Sequence, residues 1–168
     1  MLKTFISTIF LSLFCSCGCA AQGIDCTTVE NLDLGRYLGS WHEVARIDSR
    51  YERNLVDVTA HYSLNDDGSI KVVNRGYNTR KEEWGEKHAK AVTTSNAGRL
   101  RVSFVPMIYS DYNILSIGED YQWALVGSSS ADYLWILSRT ATLNSETLNH
   151  IVSLAEQRGY DTSKLLFL

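Results

Sequence analysis

From residue 39 to residue 138 the chain alternates apolar and polar side chains with a period of two, and a turn signal interrupts it about every 12 residues. An extended backbone places successive side chains on opposite faces, so this pattern is that of half-buried strands. In residues 56–64, Val58, Ala60, Tyr62 and Leu64 share one face, and Asn65-Asp66-Asp67-Gly68 follows as a hairpin turn whose glycine supplies a positive φ. Residues 69–77 return. Residues 78–82 form a polar turn, and residues 84–94 run out again with Ala89 and Ala91 on one face. Asn96-Ala97-Gly98 turns into the clean alternation of residues 99–105, and a loop over 106–111 leads to a strand at 112–117. Runs at 121–127 and 132–138, joined by Ser128-Ser129-Ser130, complete a set of eight with the opening run from Gly39. The expected fold class is all-β: an eight-stranded up-and-down antiparallel barrel, closed so that no sheet edge remains. A two-sheet sandwich would share the periodicity, but the long crossovers of Greek-key sandwiches are not evident.

After Arg139 the period changes. Asn144 can cap a helix with Leu148, Ile151, Val152 and Ala155 on one stripe, Glu146 in its first turn, Arg158 in its last and Gly159 just beyond. One narrow stripe suits a helix lying outside the barrel, and residues 164–168 can add a short final strand. With 168 residues, 11% aromatic content and a single proline, Pro106, the chain reads as one folded domain. Its 16 basic and 19 acidic residues give a net charge of −3 without a basic stripe, which argues against nucleic acid as a partner. His42, His61, His88 and His150 are scattered with no metal-ligand spacing, so no metal and no cofactor is expected.

The N-terminus reads as an address. Lys3 precedes an apolar core over residues 5–14, which as a helix rises about 15 Å, half of a ~30 Å hydrocarbon layer. That describes a signal peptide over residues 1–16. Ser16-Cys17 resembles the lipobox of bacterial lipoproteins, which makes Cys17 the expected lipid attachment site and residues 17–31 a spacer. Cleavage after Ala20 or Ala21, giving a soluble secreted or periplasmic protein, is the alternative. Acyl chains on Cys17 would tether the domain, since each buried methylene contributes about 0.8 kcal/mol. Cys26 either pairs with Cys19 or stays free. None of the remaining 142 residues is a cysteine, so disulfides do not staple the barrel itself.

Three motifs resemble the lipocalins, and in particular the bacterial outer-membrane lipocalins related to apolipoprotein D. Gly39-Ser40-Trp41 matches the first signature, Glu119-Asp120-Tyr121 is similar to the second with glutamate for the usual threonine, and Arg139 matches the third. The runs Trp41-His42-Glu43-Val44-Ala45-Arg46, Val72-Val73-Asn74-Arg75-Gly76-Tyr77-Asn78 and Tyr133-Leu134-Trp135-Ile136-Leu137-Ser138-Arg139-Thr140 bring the likeness closer, over residues 32–168. The resemblance implies that Gly39, Trp41, Asp120, Tyr121 and Arg139 are structural, with Arg139 lying across the Trp41 ring at the closed end.

It also implies a fatty acid (palmitate is one) or lysophospholipid held in the barrel, for lipid storage or transport in the cell envelope. The expected cavity wall is Glu43 and Ala45 from the first strand, Val58, Ala60 and Tyr62 from the second, and Val72 and Asn74 from the third. Ala89, Ala91, Leu100, Val102, Ile114, Tyr133 and Trp135 complete it. Period two can slip by one residue and invert a strand, and for any one of these an ordinary filled core explains the pattern equally. An enzyme is not expected: a lipocalin isomerase needs a thiol inside the barrel, and no Gly-x-Ser-x-Gly nucleophile motif occurs. The competing reading is an envelope interaction module with a filled barrel, pairing as a homodimer by its open end.

Overall fold

The computed structural model describes residues 23–168, so the expected signal peptide and the expected lipid attachment at Cys17 lie outside the described residues. A single helical turn, α1 (Leu34–Tyr37), leads into β1 (Gly39–Ile47). There follow β2 (Leu55–Leu64), β3 (Ile70–Asn78), β4 (Glu83–Thr93), β5 (Arg99–Val105), β6 (Ile108–Ile117), β7 (Trp123–Gly127) and β8 (Leu134–Ser138). Each pairs antiparallel with the next, and β1 closes the ring by using its two halves differently. Gly39 to His42 pair with β2, while His42 to Arg46 pair with β8. The result is a closed eight-strand barrel. A ninth strand, β9 (Leu165–Phe167), adds to the second half of β1, from Ala45 to Ile47.

The helix α2 (Ser145–Gln157) starts where its cap requires: the Asn144 side chain accepts from the Thr147 N–H at 2.8 Å. It stops at Gly159, whose φ of +84° disfavours any residue with a Cβ. Its buried residues, Ile151 and Ala155, seat it on the outside of the barrel against Val44, Leu115, Leu125, Leu134 and Ile136. The molecule therefore has two apolar layers. One lies between barrel and helix, and the other lies inside the barrel around Trp41, Tyr62, Val72, Leu100, Ile114 and Val126.

Three expectations are corrected. Residues 106–111 are not a loop: the hairpin turns on Pro106 and Met107 alone, with Val105 paired to Ile108, so β6 begins four residues early. Residues 23–31 are not a free spacer either. Ile24, Cys26 and Thr28 are buried, Val29 N–H donates to Ile114 O at 2.9 Å, and Asp25 N–H donates to Arg158 O at 2.7 Å. Cys26 is disulfide-bonded rather than free; Cys15, Cys17 and Cys19 lie outside the described residues. The third correction concerns Ala45, expected on the lumen wall. A β-bulge between Glu43 and Ala45 shifts the parity of β1, so Val44 and Ala45 both face the helix and the lumen receives Glu43 and Arg46.

Candidate functional site

At one end the barrel is shut. Trp41 is wholly buried, its indole N–H donates to Tyr37 O at 2.8 Å, and the Arg139 guanidinium lies 3.7 Å from its ring centroid. The same guanidinium donates to Ser40 O at 2.8 Å, Arg36 O at 2.6 Å and Leu38 O at 3.0 Å, taking up carbonyls that the end of α1 leaves unpaired. Gly39 keeps φ at +94°, and a Cβ there would sit 3.5 Å from Arg139 Nη1. Tyr121 completes the plug. Its hydroxyl accepts from Asp33 N–H at 2.8 Å, Arg36 lies over its ring, and Asp120 Oδ1 accepts from Gln122 N–H to hold the β6–β7 turn. Gly39, Trp41, Asp120, Tyr121 and Arg139 thus converge at this end.

The opposite end carries the β1–β2, β3–β4, β5–β6 and β7–β8 connections. Of the wall residues expected from the sequence, Tyr62, Val72, Ala89, Ala91, Leu100, Val102 and Ile114 are buried in the inner layer, with Ala60 and Trp135 partly buried beside them. Asn74 pairs with Ala60 on that face, and Val58 packs on Gly76 in the next rung. Tyr133 precedes β8 at the rim, stacked on Trp135 with centroids 6.0 Å apart. Ala60, Asn74, Tyr112 and Trp135 stay only half-buried although they face inward.

Several polar groups of the lumen escaped the sequence reading. Tyr112 hydroxyl bridges those of Tyr37 at 2.6 Å and Tyr62 at 2.8 Å, a chain of three phenols above the Trp41 plug. Burial pushes the Tyr37 and Tyr112 phenols well up, and that of Tyr62 to about 12, so they act as neutral hydrogen-bonding groups. Nearer the mouth, the fully buried Arg46 donates to Glu43 Oε1 at 2.7 Å and to the carbonyls of Glu52 and Leu55. Glu52 Oε2 accepts from the Trp135 indole N–H at 3.0 Å. Burial first, and the Glu52 charge second, raise the Glu43 carboxyl above its ordinary value; Arg46 pulls the other way. Lys87, opposite Asn74, reaches Tyr51 O across the mouth at 3.2 Å. In a regular strand Glu43 and Arg46, three apart, would face opposite ways, so only the bulge makes them partners. Tyr112 stands two residues before Ile114 in the same strand, so period two places it on the lumen face.

A family model of the lipocalin-like domain matches residues 32–168, and the chain belongs to the lipocalin family of small-hydrophobic-ligand binding proteins. Within that family it is 41% identical over 165 residues to the outer membrane lipoprotein Blc of Citrobacter freundii, covering 97% of this chain and 92% of that one. It is 43% identical over 146 residues to temperature-induced lipocalin-1 of Arabidopsis thaliana, covering 82% and 78%. The cockroach allergen Per a 4 superposes with a TM-score of 0.69 at 17% identity, covering 88% of this chain and 94% of that one, a likeness of fold.

Proposed function

We propose that the barrel carries one single-chain lipid, a lysophospholipid or fatty acid, for a protein tethered to the outer membrane through acyl chains on Cys17. The observation that carries this reading is the inner face of the barrel, mostly apolar along its wall, on which Ala60, Asn74, Tyr112 and Trp135 keep accessible surface. Each methylene leaving water contributes about 0.8 kcal/mol, so a chain of roughly 14 gains about 11 kcal/mol gross. The costs of association and ordering remove several of these, leaving an affinity of roughly micromolar order. The tether follows from the Ser16-Cys17 motif and from relatives named as outer membrane lipoproteins.

The head group is argued from the mouth. The Arg46 guanidinium is already engaged by Glu43, Asp48 and two carbonyls, which leaves it poorly placed to receive a bare carboxylate. Lys87 on one side and the Glu52 carboxylate on the other offer charges of both signs, a better match to a zwitterionic head. Displacement of a fluorescent fatty acid by palmitate and by a palmitoyl lysophosphatidylethanolamine tests this. The lysophospholipid should displace at lower concentration, and K87A should narrow the difference. Equal potency would remove the case for a zwitterion, and no displacement by either would remove the case for a lipid carrier.

A further inference from the structure

The β5–β6 hairpin ends in an exposed apolar point. Met107 is 92% exposed, Ile108 66%, Val105 55% and Phe104 53%, and no charged residue occurs from Val102 to Ser110. Soluble surfaces scatter such residues singly; a contiguous protruding group marks a contact. The backbone sharpens the point. Pro106 and then Met107 with φ of +70° make the turn, in the order of a type II turn, whose third residue is normally glycine. A bulky apolar side chain there strains the backbone and returns no packing within the chain, so its value lies outside it.

Beside this tip the wall is parted. The β4–β5 ladder stops at Lys90 and Ser103, although β4 extends back to Glu83. A bulge between Val102 and Val105 turns the hairpin away. The gap opens as a surface cleft of about 370 Å³, lined by the inward-facing Ala89 and by His88, Lys90, Ser103, Phe104 and Met107. The chain's beginning points to what meets this end. Cys26 lies 3.3 Å from Ser128 O in the β7–β8 connection, at the same end of the barrel, and Cys17 precedes the first described residue by six positions. Six residues reach at most about 20 Å, so a lipid on Cys17 holds that end near its bilayer.

We infer that the β5–β6 tip dips into the lipid bilayer and that the gap between β4 and β5 is the door through which an acyl chain passes between bilayer and lumen. The inference rests on the lumen holding a lipid, and its test separates the two. The full chain bearing Cys17→Ala, which removes the anchor, is mixed with vesicles of phosphatidylethanolamine and phosphatidylglycerol at 3:1. Flotation with the vesicles and the rate of transfer of a fluorescent lysophospholipid from vesicle to protein are read. The expected result is that M107D/I108D abolishes flotation and slows transfer at least tenfold, while affinity for the probe delivered from dilute solution stays within twofold. The milder M107S should give an intermediate rate.

Flotation and transfer unchanged in M107D/I108D would overturn the inference. So would sedimentation showing that these substitutions split a dimer while flotation persists, since a second copy would then cover the tip. Should the parent chain bind no probe from solution, the lipid-carrier reading fails, and tip-dependent flotation alone then decides for or against docking.

Discussion

At the scale of the residue, Arg139 and Glu43 do different things with buried charge. Arg139 gains a cation–π contact of about 0.5–2 kcal/mol with Trp41 and satisfies carbonyls at the end of α1. Arg139→Ala leaves those carbonyls unpaired and should lower stability by roughly 2–4 kcal/mol in urea unfolding; a loss under 1 kcal/mol would mean water replaces it freely. Glu43 carries the opposite kind of effect. Its folded-state carboxyl sits above the ordinary value of 4.5, because burial and Glu52 disfavour the charge. Between that value and the raised one the folded chain binds more protons than the unfolded chain, so this group's contribution to stability falls as pH rises through the window. Urea titrations from pH 5 to 8 should show that slope in the parent and a flatter one in E43Q. Parallel slopes would place the glutamate's ordinary titration in the folded state too. Trp135 and Trp41 separate wall from plug. Trp135→Ala should weaken a fluorescent fatty acid roughly tenfold, about 1.4 kcal/mol, whereas Trp41→Ala should cost about 3–5 kcal/mol of stability with a smaller change per folded molecule. Equal binding losses would contradict the division.

At the scale of the element, what could be read in advance was periodicity, and what could not was its interruption. Strands β2 to β5 were legible because their sequences alternate between strong turn signals such as Asn65-Asp66-Asp67-Gly68, although bulges interrupt the pairing between Val56 and Thr59 and between Val102 and Val105. The helix was legible from its cap and its closing glycine, and Asn144→Ala should cost about 1 kcal/mol of stability with lipid binding unchanged. Bulges leave no such mark. The one between Glu43 and Ala45 turned Ala45 outward and Arg46 inward, which no count by two can foresee. Residues 106–111 misled for a related reason: Pro106, Ser110 and Asp111 carry loop composition, yet only two residues are needed to turn once Met107 accepts a positive φ. Arg46 was lost with the first of these errors, because the bulge turns it to the face that a count by two assigns to solvent, whereas Tyr112 shares the face of Ile114 and was legible.

At the scale of the whole molecule, a closed ring of eight strands has one plugged end, and the proposed function reads the space above that plug as a hollow. The outer layer under α2 supplies the stability of an ordinary core, which frees the inner layer from having to be filled. If the chain is tethered as proposed, Cys17→Ala should release it from the membrane fraction; retention there would move the attachment elsewhere. The hollow itself is tested most directly by extracting the purified full chain and measuring by mass spectrometry which lipids come with it, alongside Ala60→Trp, which puts an indole into the lumen. Close to one single-chain lipid per chain should accompany the parent and little or none the Ala60→Trp variant. A parent that carries no lipid, or a blocked barrel that carries as much as the parent, would contradict a cargo held inside.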